Sequence, residues 1–344
     1  MKLSMCIATF NRAGFIGQTL DSILPQLTSE VELVVVDGAS TDGTADVVAA
    51  YRSQYPSLVY HREKENSGFD RDVDKAVTYA RGQYCWLMSD DDILADDAIA
   101  TVLKSLADGP ALVVVNAEVR SKDLSKCLKE RQLNVGADQE FAAEEQANLF
   151  AVTTNYLSFF GAVVIQRDRW LARERAPYFG SMFIHVGVIF QSPSIGRAKL
   201  IARPLIKIRY ANAMWTARAF EIWAAKWPRL IWSFDQFSTT SRAGVTQRYP
   251  ATSLKLLLHY RALGAYGPGE YRSLLAGRDE PHHPLAIAVA WLPARGVNAA
   301  IALSCLLRRH VDAPMMLHDL VRARCASSLA RWISTLSSLS ANGK

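Results

Sequence analysis

Cysteine is scarce in this 344-residue sequence: Cys6, Cys85, Cys127, Cys305 and Cys325 are odd in number, widely scattered and never in a C-x-x-C pair. That spacing argues against a disulfide framework and a zinc site, and it points to a reducing compartment. The opening residues do not read as a secretory leader either. Met1-Lys2-Leu3-Ser4-Met5 begins an apolar stretch that reaches Asn11 and Arg12 too soon for a signal peptide, so a first β-strand is expected and the front half is expected to stay in the cytoplasm. No long uninterrupted apolar run is present either. Residues 285–307 come nearest, but Pro293, Arg295, Gly296 and Asn298 fall at their midpoint, where a membrane-spanning helix is penalised most. Two short helices are expected there, lying in a membrane interface or packed on the rest of the protein. No internal repeat or low-complexity tract appears.

What is present is a large apolar fraction and an uneven charge. Half of the residues are hydrophobic, enough for a sizeable core in one large domain or two ordinary ones, and too many for a disordered chain. The formal charge of +6 conceals a division, since residues 1–150 hold 14 Lys and Arg against 24 Asp and Glu, and residues 151–344 hold 25 against 9. A back half so basic suits an anionic partner such as nucleic acid, a phospholipid surface or a pyrophosphate-bearing substrate, and a solvated basic surface is the plain alternative. The basic residues are diluted among apolar helices and no nucleic-acid recognition element accompanies them, so no nucleic-acid partner is expected.

The first 116 residues alternate short β-branched runs with amphipathic stretches. The pattern predicts strands over 3–9, 32–37, 58–61, 84–88 and 111–116, with helices over 14–27, 44–52, 70–80 and 96–106 between them. Strands separated by such helices form a mainly parallel sheet covered on both faces, which binds ligands outside the carboxyl ends of its strands. Residues 117–150 are polar and charge-rich and read as a helical or loop insertion without a clear strand. Apolar runs return at 159–165 and 182–190, the second interrupted by His185, and beyond about residue 215 the pattern is helical, with proline as punctuation.

The most informative segment is Tyr84-Cys85-Trp86-Leu87-Met88-Ser89-Asp90-Asp91-Asp92-Ile93-Leu94, in which an apolar strand delivers three consecutive carboxylates into the loop at its carboxyl end. Like charges so close repel, so something cationic is wanted among them. A hard divalent cation such as Mg²⁺ or Mn²⁺ uses one or two carboxylates, several waters and the oxygens of a substrate diphosphate, and offsets charge building on a departing diphosphate. Asp91, with Asp90 and Asp92, is the expected ligand set. An acidic helix start, with Asp96 and Asp97 following, is the structural alternative.

Two further loops follow the first two strands: Ala8-Thr9-Phe10-Asn11-Arg12, and Val36-Asp37-Gly38-Ala39-Ser40-Thr41-Asp42-Gly43-Thr44. A carboxylate at a strand terminus accepts from the N–H of a pyrimidine base or from ribose hydroxyls, and glycine lets the backbone approach closely. Asp37 is therefore expected at a nucleotide, and Asp42 mainly at a helix cap.

In order and spacing, Ala8–Arg12, Val34–Thr44 and Ser89–Leu94 resemble the nucleotide loop, the D-G-x-S-x-D-G-T element and the D-x-D region of family 2 glycosyltransferases. The resemblance implies an α/β fold of the GT-A, nucleotide-sugar-binding kind, a nucleoside-diphosphate sugar as donor and Mn²⁺ or Mg²⁺ as cofactor. Thr9, Phe10, Asn11, Arg12, Asp37, Gly38, Ser89 and Asp90 are then implied as donor-binding residues, and Asp92 as a catalytic group beside the metal. Between these motifs, Asn66-Ser67-Gly68-Phe69-Asp70-Arg71-Asp72 resembles the abequosyltransferase-like subgroup, associated with O-antigen assembly and deoxy- or dideoxyhexose donors. It adds Asn66, Gly68, Arg71 and Asp72 to the expected donor site. Many members carry a small uncharged residue and an Arg-Asn pair near Arg71-Asp72, a departure that bears on which hexose the donor carries. Physically, Arg71 suits a bidentate contact with a diphosphate, and Asp70 or Asp72 suits the hydroxyls of a sugar, although the alternating charges also fit a solvated helix start.

An inverting transferase needs a base for the acceptor hydroxyl as the anomeric carbon gains oxocarbenium character. The family usually supplies Asp or Glu about a hundred residues after the D-x-D region, but here no carboxylate stands between Glu174 and Glu221. His185, within Tyr178-Phe179-Gly180-Ser181-Met182-Phe183-Ile184-His185-Val186, is the expected substitute, with a core histidine as the alternative.

The expected organisation is a GT-A catalytic domain over 1–212, split into a nucleotide-sugar half at 1–116 and an acceptor half at 117–212, followed by a basic helical region over 213–344. In that region Trp215, Trp223, Trp227 and Trp232 interleave with Arg218, Lys226 and Arg229. Near the terminus an apolar three-four spacing from Leu317 through Leu320 and Ile333 to Leu336 is flanked by Arg308, Arg309, Arg322, Arg324 and Arg331. This predicts peripheral attachment to an anionic membrane surface on the cytoplasmic face, where a lipid-linked acceptor resides, against packing on the catalytic domain. A nucleotidyltransferase shares the carboxylates and metal but wants a Gly-rich basic phosphate loop, for which Phe10-Asn11-Arg12-Ala13-Gly14 is a poor match. A non-catalytic membrane-binding protein leaves the three aspartates unexplained.

Overall fold

The computed structural model describes residues 1–210, 216–307 and 313–341. Trp215, Arg308 and Arg309 lie outside the described residues. The chain forms two compact units, Met1–Asn212 with Phe234–Val245, and Ala213–Ser233 with Thr246–Lys344.

The first unit is built on strands β1 (Leu3–Thr9), β2 (Val31–Asp37), β3 (Leu58–Arg62), β4 (Tyr84–Met88), β5 (Ile93–Leu94), β6 (Leu112–Arg120), β7 (Cys127–Lys129), β8 (Gln139–Phe141), β9 (Val163–Gln166) and β10 (Ala198–Arg209). They form one sheet in the order β3-β2-β1-β4-β9-β6-β10-β5, with β7 on β6 and β8 on β10. The half that carries the motifs is parallel: β1 pairs with β2 and β4, and β2 with β3. β9 runs antiparallel to both β4 and β6, while β6 and β10 are parallel. Every residue of β2 and of β4 is buried, and both read as near-continuous apolar runs because helices cover both faces of such a sheet.

Helices α1 (Ile16–Ile23), α2 (Thr44–Gln54), α3 (Phe69–Tyr79), α4 (Ala98–Ser105), α5 (Gln146–Thr153), α6 (Arg167–Leu171) and α7 (Ile184–Phe190) connect or cover the strands. α1 buries Ile16, Thr19, Leu20 and Ile23, the i, i+3, i+4, i+7 stripe of an amphipathic helix. The strand order reverses at β1, whose neighbours are β2 on one side and β4 on the other. That reversal opens a crevice at the carboxyl ends of β1 and β4.

The insertion at 117–150 differs from expectation. β6 continues to Arg120, β7 folds back on it as an antiparallel partner, and β8 pairs with β10. β7 has three residues, all exposed, so it leaves no alternation of polar and apolar positions to read.

The second unit is helical. Phe220, Leu257, Tyr266, Ala286, Val289 and Ala290 share one core cluster, and Ala262, Ala302, Leu317, Leu320, Ala330 and Ile333 share another. The apolar stretch at 285–307 forms two helices, Ala286–Trp291 and Ala294–Leu307, and no described helix is long and apolar enough to cross a membrane. Asn298, which argued against a span, is fully buried. Its Nδ2 donates to the carbonyls of Ala262 and Leu320 at 3.0 Å each, and its Oδ1 accepts from the backbone N–H and the hydroxyl of Ser327 at 2.9 and 2.8 Å. The terminal stripe at Leu317, Leu320 and Ile333 packs inside this unit, leaving Trp332 exposed on the other face.

Candidate active site

Parallel register brings the motifs to one end of the sheet. Thr9 pairs with Asp37, and Ile7 with Met88, so the loops after β1, β2 and β4 leave the sheet on the same side. Asn11, at a φ of 55°, sews the first two loops together. Its Oδ1 accepts from the N–H of Thr41 at 2.8 Å and of Asp42 at 3.3 Å, and its own N–H donates to the Ser40 hydroxyl at 2.9 Å. Arg12 adds an N–H bond to the Thr44 hydroxyl at 2.8 Å, and Asp42 accepts from the N–H of Thr44 at 2.9 Å, one residue ahead of Gly43, which holds the N-cap position of α2.

Asp37, expected to meet the nucleotide directly, is fully buried. Oδ1 accepts the Ser40 N–H at 2.7 Å and Oδ2 the Tyr60 hydroxyl at 2.6 Å, so this side chain shapes the loop. The first turn of α3 brings the Asp72 carboxylate against Gly38; a Cβ on Gly38 would stand 2.5 Å from its Oδ2 and 3.7 Å from the Thr9 carbonyl oxygen. Asp72 takes the Ser67 hydroxyl at 2.8 Å. Burial pushes its pKa up, and the neighbouring charges of Glu63 and Asp37 push the same way. Asn66 accepts the N–H of Gly68, whose φ of 89° turns the chain into α3.

The aspartates of this helix start are not solvated. Asp70 and Asp72 are each 3% exposed. Asp70 holds the N–H groups of Met182 at 2.8 Å and Ile184 at 3.1 Å, which fixes the segment ahead of α7. That segment supplies Phe179, whose ring lies 4.4 Å from the guanidinium of Arg71. Arg71 is exposed and makes no ion pair among the described residues.

The Asp triplet divides in two. Asp90 and Asp91, at 7% and 8% exposure, share Arg12, whose Nε is 3.3 Å from Asp90 Oδ1 and whose Nη2 is 3.5 Å from Asp91 Oδ2. The Ser89 hydroxyl donates to Asp91. Asp92, expected with them as metal ligand and catalytic group, turns instead to β10. Its Oδ1 accepts the Arg209 N–H at 2.7 Å, while Arg209 Nε donates to the Asp91 carbonyl at 2.9 Å. Asp92 is 2% exposed and burial, then Asp91, pushes its pKa well up, so it anchors the loop to β10. Burial and the adjacent Asp91 also push Asp90 up to about 7, against the pull of Arg12. Arg12, Lys122 and Arg209 gather around the ring of Phe15 at 5.9, 5.7 and 5.4 Å. Arg209 and Phe15 carry no motif, and nothing local in the sequence marks them.

Among the described residues no three His, Cys, Asp or Glu side chains form a metal-enclosing group. The donor set still fits a hard divalent ion completed by waters and diphosphate oxygens, because two carboxylates suffice for that and one arginine leaves Asp90 under-neutralised.

His185 is a correction to the sequence reading. Its ring is 1% exposed between Phe160 and Phe183, Nε2 bonds the Leu157 carbonyl at 2.6 Å, and Nδ1 is buried without a hydrogen bond. Burial lowers its pKa to about 4, so the ring is neutral. A base must present a lone pair to an acceptor hydroxyl, and here neither nitrogen reaches solvent.

Glycosyl transferase family 2 matches residues 4–168. Among curated relatives the chain is 29% identical over 231 residues to the abequosyltransferase RfbV of Salmonella typhimurium, covering 62% of this chain and 68% of that protein. It is 29% identical over 93 residues to an uncharacterized glycosyltransferase of Nostoc, covering 27% of this chain and 29% of that protein. Among solved structures, S. aureus TarS 1–349 in complex with UDP superposes with a TM-score of 0.54 at 14% identity, over 100% of this chain and 92% of that one. The mannosyltransferase PcManGT from Pyrobaculum calidifontis, solved with GDP-Man and Mn²⁺, gives 0.50 at 19% identity, over 98% and 84%. These structural likenesses speak for the fold, and the sequence likenesses carry the kinship. Residues 4–168, which carry most of the GT-A-like α/β sheet, match glycosyl transferase family 2, the family that the motifs at the strand ends resemble.

Proposed function

We propose that the chain transfers a deoxy- or dideoxyhexose from a nucleoside diphosphate to a lipid-linked O-antigen intermediate or a similar surface glycan. The observation that carries this reading is the buried pair Asp90 and Asp91 at the switch point of the sheet, both in ion-pair contact with Arg12. Mn²⁺ or Mg²⁺ bound at that pair supplies charge neutralisation for the departing diphosphate. Arg12 and Arg71, the latter without an ion pair among the described residues, offer fixed positive charge to phosphate oxygens, Arg71 in the fork geometry suited to them. Asp72, pressed against Gly38, offers acceptors to ribose or donor-sugar hydroxyls, and Thr9, Phe10, Asn11, Asn66, Gly68 and Ser89 frame the same loops. The abequosyltransferase relative supports the unusual donor, and inversion is the family default. His185 is left out of the proposal as base.

The helical unit supports attachment to an anionic membrane on the cytoplasmic face. Leu285, Ile287 and Trp291 are 52%, 49% and 71% exposed, on a helix whose Ala286, Val289 and Ala290 face the core. On the next helix Leu303, Leu306 and Leu307 are 43%, 47% and 75% exposed, while Ala302 is buried. Exposed Leu and Trp next to a basic chain suit the headgroup boundary.

The test incubates the protein with CDP-, dTDP-, GDP- and UDP-linked hexoses and deoxyhexoses plus Mn²⁺ or Mg²⁺. Nucleoside diphosphate release that EDTA abolishes is expected. Pyrophosphate release in its place points to a nucleotidyltransferase, and silence with every donor removes the reading.

A further inference from the structure

The helical unit encloses a cavity of about 250 Å³ whose lining is apolar in depth and charged at its mouth. Phe220, Ala251 and Leu275 in that lining are buried, whereas Arg229 and Arg248 are exposed and Glu280 is half-buried. Arg229 and Glu280 cancel one another through a two-pronged contact, Nε to Oε1 at 3.1 Å and Nη2 to Oε2 at 3.2 Å. Arg248 has no such counter-charge. Among the described residues it makes no ion pair, and its guanidinium lies over the rings of Trp232 and Tyr249 at 5.4 and 5.3 Å. The indole is itself fixed, its Nε1–H donating to the Thr246 carbonyl at 3.0 Å. Ring contacts occupy the flat face of a guanidinium and leave its in-plane N–H fork for a bidentate acceptor. One uncompensated cation therefore stands over an apolar recess.

We infer that this cavity binds a phosphate ester of an apolar alcohol, with the phosphate on Arg248 and the first carbons of the chain in the apolar depth. The recess is smaller than the usual range for drug-sized ligands, about 300–1,000 Å³, which favours a headgroup and a short apolar segment over a whole nucleotide sugar. Two sources share this chemistry, the carrier lipid of a glycan acceptor and a membrane phospholipid. Identification with the acceptor's carrier rests on the function proposed above; binding of the phosphate ester does not.

The full chain is titrated by calorimetry with geranyl phosphate, dihexanoyl phosphatidylglycerol, geraniol and inorganic phosphate, as wild type, Arg248→Met and Arg248→Lys. Saturable binding of geranyl phosphate is expected, weakened about ten- to a hundred-fold in Arg248→Met and less in Arg248→Lys, which keeps the charge. Geraniol binds far more weakly. A preference for geranyl phosphate over phosphatidylglycerol assigns the site to a carrier lipid, and the reverse assigns it to the membrane, the ester being recognised in both cases. Equal binding by wild type and Arg248→Met, equal binding of geraniol, or no saturable binding overturns the inference. Donor hydrolysis measured on the same samples keeps the two readings separate, since its persistence without geranyl phosphate binding leaves glycosyl transfer standing.

Discussion

Asp72 Oδ2 lies 2.5 Å from the point where a Cβ on Gly38 would stand, so the loop after β2 and the start of α3 close on each other only because residue 38 has no side chain. Gly38→Ala is expected to push the buried Asp72 carboxylate off its place. Donor KM rises by about ten-fold and stability falls by about 1–3 kcal/mol, as for an overpacked core. Initial rates against donor concentration, with a melting curve beside them, check this.

Asp91→Ala removes a carboxylate from the pair at the end of β4. Nucleoside diphosphate release is expected to fall at least about a hundred-fold. The melting temperature should hold, because the substitution relieves repulsion on Asp90 and Asp92. Turnover close to wild type in that variant refutes the metal assignment.

A carboxyl raised from its ordinary 3.8 to about 7 makes the native state bind more protons than the unfolded chain between those values. Stability of the metal-free protein is therefore expected to decline as pH rises from about 4 to about 7, and to level off above. Asp92, raised in the same direction, adds to the decline. Asp90→Asn makes the slope shallower, and Mn²⁺ lifts stability most at the alkaline end. Melting temperatures across this range, with and without Mn²⁺, read all of these effects.

His185→Phe separates a base from a core residue. Loss of the Nε2 bond leaves the Leu157 carbonyl unsatisfied, at a cost of about 1–3 kcal/mol. With folded protein as the reference, kcat should stay within about three-fold and the acid limb of its pH profile should not move. A collapse of kcat with unchanged melting returns His185 to the chemistry.

Trp291→Ser and Leu307→Ser alter exposed side chains, so the melting temperature is expected to hold. Sedimentation with vesicles rich in anionic lipid should weaken by about ten-fold for each. Equal binding by the double variant rules out this face as the membrane contact.

Much of this architecture was readable from the chain. The strands Leu3–Thr9 and Tyr84–Met88 stand where apolar runs predicted them, and the loops that follow were identified by polar residues breaking those runs. What escaped reading lacks a local signal. Arg209 meets Asp91 and Asp92 across more than a hundred residues of sequence, and only the register of β10 against β5 and β6 brings it there. Asp92 follows Asp91 directly yet turns the other way, because one residue bends toward β10 while its neighbour stays in the crevice. His185 looked chemical because an imidazole is conspicuous in an apolar run; the fold employs it as a wedge between aromatic rings.

The amide of Asn298 has a further implication for dissecting this protein. Three stretches distant in sequence, around Ala262, Leu320 and Ser327, all terminate bonds on that one side chain inside a sealed interior. Trimming the tail back past Ser327 strips the amide oxygen of both its donors, so shortened versions of the enzyme should keep the final helix if they are to stay properly folded.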